Sequence, residues 1–132
     1  RHRILFEGSS EALFTLAPPD WRFAAANDAA IALFGEPDAE ALRAHTPWHY
    51  APPHQPDGRA SLVWGAEAIA TALREGSCAL SWRHRAAGGQ EIAARVLLTR
   101  IGGGGELRLL GTWRDETARQ VPPPQCYGVE EA

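Results

Sequence analysis

Three stretches decide the fold: CALSWRHR (78–85), IAARVLLT (92–99) and LRLLGTWR (107–114). In each, bulky apolar and polar or arginine side chains tend to alternate, the period of a half-buried strand. AAGG (86–89) separates the first two, and GGGG (102–105) the last two. Such short glycine-bearing links return a strand on itself, so the segment reads as an antiparallel three-strand meander. Parity places Leu80, Trp82, Val96, Leu98, Leu109 and Trp113 on one face. Arg83, Arg95 and Arg114 fall on the other, with Ala93, Leu97 and Leu110 among them.

Working back along the chain, Leu62, Ala66, Ile69 and Leu73 follow a 4-3-4 spacing. This predicts a helix capped by Ser61, ended by Gly76 and buried on that row. HTPWHYAPPHQPDGR (45–59) carries four prolines and no period, and reads as a loop with at most one helical turn. Asn27 suits an N-cap, Asp28 the first turn and Gly35 the residue after the helix. Pro37 to Glu40 open a second short helix. Ala12–Leu16 and Trp21–Ala25 flank Pro18-Pro19-Asp20 and read as a hairpin. Residues 1–10 read as a helical lead-in, 11–119 as the domain, and 120–132, with Pro122-Pro123-Pro124, as a linker. The order is two strands, helices, three strands: an α+β domain with a sheet covered on one face.

The 132 residues suffice for one domain, and 45% hydrophobic against 22% charged residues supports a packed core. A net charge of -3 and a pI near 5.9 argue against a general electrostatic grip on nucleic acid. No apolar run approaches the roughly 20 residues of a membrane span, and no signal-peptide pattern opens the chain. Cys78 and Cys126 stand far apart, so neither a disulfide framework nor a four-cysteine zinc site is expected. These readings lead us to expect a reducing, cytoplasmic setting. The chain holds no Met, and we expect it to be a module of a longer protein.

Several segments then resemble a known family. Phe23-Ala-Ala-Ala-Asn27-Asp28-Ala29 resembles the strand-to-helix junction of PAS domains, and Leu33-Phe34-Gly35 the glycine that follows. Trp82-Arg-His-Arg-Ala-Ala-Gly88-Gly89 resembles their tryptophan-bearing hairpin, with Gly88 where Asp is usual. Gln55-Pro-Asp-Gly58 resembles a motif of one bacterial sensor branch. Trp113-Arg-Asp115-Glu116-Thr117 resembles the closing motif, with Glu116 where Ile is usual. The resemblance spans residues 4–119. It implies a five-stranded antiparallel sheet with helices on one face, and a non-catalytic sensory module attached to an output domain such as a histidine kinase or diguanylate cyclase. It also implies homodimers formed through the outer sheet face.

On this reading Asn27, Leu80, Trp82, Val96, Leu98, Leu109 and Trp113 are candidates for a ligand pocket. Asp115 and Thr117 are candidates for signal relay, and Ala93, Leu97 and Leu110 for a dimer face. A small organic ligand is compatible; no metal or cofactor is expected. His45, His49 and His54 lie in a proline-rich segment that cannot set them on a regular helix face, and residues 62–75 hold no His to ligate haem. The reactive-cysteine helix of flavin-binding light sensors has no counterpart, because Cys78 opens a strand and reads as a small buried hydrophobe. The rival reading is a cone-fold binding protein or enzyme with Asp57 as general base. Such folds begin with helices, whereas strands come first here.

Overall fold

The structure, a computed structural model, describes residues 11–102 and 106–115. The elements are β1 (Ala12–Ala17), β2 (Arg22–Ala26), α1 (Asp28–Phe34), α2 (Ala39–Arg43), a 3-10 turn (Pro47–Tyr50), α3 (Ser61–Glu75), β3 (Ser77–Arg85), β4 (Glu91–Ile101) and β5 (Arg108–Asp115). They form one antiparallel sheet in the order β2-β1-β5-β4-β3. The meander stands as read: Leu80 pairs with Val96, and Val96 with Trp113. The expected inner row is buried throughout, while Arg95 and Arg114 are exposed. The expected helical lead-in, the linker and Thr117 lie outside the described residues, as does most of the second glycine turn.

Asn27 accepts from Ala30 N–H at 2.9 Å and so caps α1. The same Oδ1 accepts from Leu13 N–H at 3.0 Å, and Nδ2 donates to the Glu11 carbonyl at 2.9 Å. One fully buried amide thus joins the first strand to the first helix. Gly35 closes α1 in the left-handed region, φ 78°, which a residue without Cβ adopts at little cost.

Two helix expectations need correction. The buried row of α3 is Ser61, Gly65, Ala68, Ile69 and Ala72; Leu62 is 56% exposed and Ala66 is also exposed. The sheet and the 3-10 turn present bulky rings to this helix, so small residues must face them. A Cβ on Gly65 would stand 3.0 Å from Trp48 Cε3 and 3.5 Å from Trp82 Cη2. Ser61 is the first helical residue and not the cap, which is Ala60. Its hydroxyl is taken by the preceding loop: it donates to the Pro52 carbonyl and accepts from Gln55 Nε2 at 2.8 Å.

That loop also covers a sheet edge. β3 is terminal, so alternate main-chain groups face away from the ladder. Gln55 Oε1 accepts from Arg83 N–H at 2.7 Å, and Nε2 lies 3.2 Å from the Arg83 carbonyl. A side-chain amide stands where a further strand would pair, and under it Arg83 is half-buried rather than exposed as its parity suggests.

Candidate ligand cavity

Between the sheet and α3 lies a cavity of about 30 Å³. Phe14 and Leu16 of β1, Leu80 and Trp82 of β3, Val96 and Leu98 of β4, and Trp113 of β5 form its floor. Gly65, Ala68 and Ile69 of α3 form its roof, and Pro47 and Trp48 of the 3-10 turn form one side. The residues converge because period-2 strands aim alternate side chains at a helix whose facing residues are small. No lining side chain is titratable, so the cavity wall offers no acid, base or nucleophile.

Five of the seven pocket candidates, Leu80, Trp82, Val96, Leu98 and Trp113, line this cavity. Leu109 is fully buried in the same core but not in the lining. Asn27 stands at the β1–α1 junction, bonded to main chain as described. Sequence reasoning passed over Phe14, Leu16, Gly65, Ala68 and the Pro47–Trp48 pair. Phe14 and Leu16 stand two apart in the first strand, the spacing of one strand face, a signal that was readable. Trp48 sits in a segment without period, which gave none.

Beside the cavity runs an aromatic cluster. Phe34 has ring centroids 5.0 Å from Phe23, 5.0 Å from Tyr50, 4.8 Å from His84 and 5.2 Å from Trp113. His84, fully buried on the inner row, sets Nε2 3.2 Å from the Leu33 carbonyl. Tyr50 donates its hydroxyl to Glu36 Oε2 at 2.6 Å; burial first, and this bond second, raise the phenol's pKa. His45 and His49 stack at 3.7 Å. Burial, then the neighbouring His45, lowers the pKa of His49 against an opposing pull from Glu36. Among the described residues no group of three or more His, Cys, Asp or Glu side chains is arranged to hold a metal ion. Cys78 is half-buried, and burial raises its thiol pKa.

Asp57 lies apart, on an edge groove of about 240 Å³ that also takes in Gln55, Trp64 and Arg83. Hydrogen bonds from the Arg59 main chain and guanidinium lower the Asp57 carboxyl's pKa. The same guanidinium lies 3.8 Å over the Trp64 ring. A solvated carboxylate made less basic by its partner is poorly suited to proton abstraction. Among the described residues β1 and β2 precede the helices, unlike the helix-first order of the cone-fold reading.

On the outer sheet face, Leu13, Thr112, Leu97 and Ala79 form one cross-strand row, and Thr15, Leu110, Thr99 and Ser77 the next. Leu97 is 40% exposed and Leu110 half-buried, so these two candidates share a patch. Ala93 lies beyond Arg95, on the edge groove. β5 ends at Asp115, opposite Ala94. No helix among the described residues is long and apolar enough to cross a membrane.

Neither a protein-family profile nor a curated protein matches the chain. Solved structures do. A PAS domain from Colwellia psychrerythraea superposes with a TM-score of 0.73 at 18% identity, covering 89% of this chain and 96% of that one. A domain of a sensory box sensor histidine kinase/response regulator from Geobacter sulfurreducens gives 0.70 at 16%, covering 86% and 90%. A PAS domain from a two-component sensor histidine kinase gives 0.68 at 16%, covering 86% and 92%. The chain has the PAS fold.

Proposed function

We propose that this chain is a sensory module of a bacterial signal-transduction protein. It takes a small molecule into the cavity beneath α3 and relays occupancy along β5 to an attached output domain. The observation that carries this is the cavity itself: bounded by sheet and helix, lined without a titratable group, and set in a fold shared with domains of sensor histidine kinases. A wall of this kind suits recognition without turnover. Trp113 lines the cavity and Asp115 ends the same strand two residues on, so a displacement of the indole reaches the exit of the domain through one packed element. Asp115, with Thr117 beyond it, is the relay in this reading.

The outer-face patch around Leu97 and Leu110 serves homodimer formation, since clustered apolar residues on a sheet face suit a partner surface. Leu97→Arg weakens that dimer, read by sedimentation at micromolar concentration.

The test of the reading uses the full-length protein. Asp115→Ala keeps the melting midpoint of this domain close to wild type but removes the stimulus dependence of the output. Normal stimulus dependence in a folded Asp115→Ala protein would refute the relay.

A further inference from the structure

Every residue around the cavity is glycine, proline, aliphatic or aromatic, and the surface they expose to it is almost wholly apolar. The indole nitrogens of Trp82 and Trp113 are buried and add nothing to that surface. Size does not keep water out, since about 30 Å³ exceeds the roughly 10–15 Å³ that one water needs. Chemistry does, because a buried water needs about two to four polar partners and this wall offers none among the described residues. Residue choice keeps the space open. Ala68 faces the sheet with a single methyl group, while Leu62 and Val63 of the same helix lie 56% and 50% exposed.

We infer that the ligand of this cavity is a short-chain hydrocarbon, an alkane or alkene without any hydrogen-bonding group. The inference rests on the ligand-binding reading above and adds the chemical class. A hydroxyl, amine or carbonyl carried into the cavity gives up its bonds to water and finds no partner in the wall. A charged group does worse, because no charged side chain lines the cavity. A hydrocarbon loses no hydrogen bond on entry, leaves water, and gains dispersion contacts with the wall. The small volume restricts it to a short chain. Every lining residue except Pro47 and Trp48 is buried, so the guest enters on that side and any longer chain extends there.

The test is the methyl region of the ¹³C–¹H spectrum of the 132-residue chain. Leu16, Ala68, Ile69, Leu80, Val96 and Leu98 carry methyl groups at the wall. The probes are propane and its near-isostere ethanol, which has a hydroxyl in place of one methyl. Propane is expected to shift these signals saturably, and ethanol to bind about a hundredfold more weakly. Ala68→Val narrows the space and is expected to weaken propane about tenfold. Should that variant fail to fold, the two probes on the wild-type chain still decide. Ethanol binding within about tenfold of propane overturns the hydrocarbon class while leaving the cavity a ligand site. Wall methyls unmoved in propane-saturated solution overturn the inference, as does an unchanged propane affinity in folded Ala68→Val protein. The sensory reading is judged separately, by the output assay on Asp115→Ala.

Discussion

Replacing Gly111 by alanine should be among the most damaging single-methyl changes in this protein. Gly111 sits in β5 directly opposite Phe14 of β1. The Phe14 ring folds over it: a Cβ added there would lie 2.2 Å from Phe14 Cζ and 2.3 Å from Cε1. Carbon atoms rest at about 3.5–4.0 Å, so the ring would have to retreat by more than an ångström. It is hemmed in, being 1% exposed with Phe23, Phe34 and Trp113 centred 5.3, 6.0 and 5.7 Å away, and only the small cavity beneath α3 borders it otherwise. Overpacking of ordinary severity costs about 1–3 kcal/mol. The backbone-entropy benefit of losing a glycine returns only about 0.4–1 kcal/mol. We expect a net loss of about 3 kcal/mol by urea denaturation, equivalent to roughly 10 °C in melting midpoint. Phe14→Leu in the same chain should recover about 1 kcal/mol or more of coupling in a double-mutant cycle. A Gly111→Ala protein within about 0.5 kcal/mol of wild type, or an additive cycle, would refute the packing argument.

Gln55→Ala should lose about 2 kcal/mol and speed hydrogen exchange at the Arg83 amide, because the β3 edge would lose its side-chain partner. Unchanged exchange at Arg83 would show that the loop does not cover the edge. Asn27→Ala removes a helix cap and leaves the Leu13 N–H without its acceptor. A loss of about 2–3 kcal/mol is expected, and a loss below about 0.5 kcal/mol would contradict the assigned bonds. His49 has a folded-state pKa below its ordinary value, so the unfolded chain takes up the proton first as pH falls. Stability should therefore decline as pH drops through about 6.5, modestly because the ring is exposed. His49→Gln should flatten that decline, and an equal decline in both proteins would exclude His49 as its source.

What the sequence disclosed followed from how strictly local geometry constrains a residue. Strands reverse their faces at every step, so Leu80, Trp82, Val96, Leu98, Leu109 and Trp113 could be placed inward before any coordinates. Asn27 was readable as a cap because the bond is local, whereas its links to Leu13 and Glu11 are long-range and left no trace. The face of α3 was read only in part: Ile69 is buried and Leu73 packs against the core as expected, but Leu62 and Ala66 are exposed and Gly65, Ala68 and Ala72 take their place. Apart from Ile69 the true face is small, and its composition is dictated by Trp48 and Trp82 from elsewhere in the chain. Gln55 and Trp48 lie in a proline-rich stretch without period, where nothing local distinguishes a buried side chain from a solvated one.

The measurement that bears most directly on the cavity as the seat of sensing is the output of the full-length protein carrying Ala68→Val. Ala68 lines the cavity and is 1% exposed. Two added methyl groups would narrow the cavity, at a cost of about 1–3 kcal/mol that a thermal melt can confirm the fold survives. The account predicts an output locked at one level, indifferent to stimulus. A folded Ala68→Val protein with the stimulus dependence of wild type would contradict it.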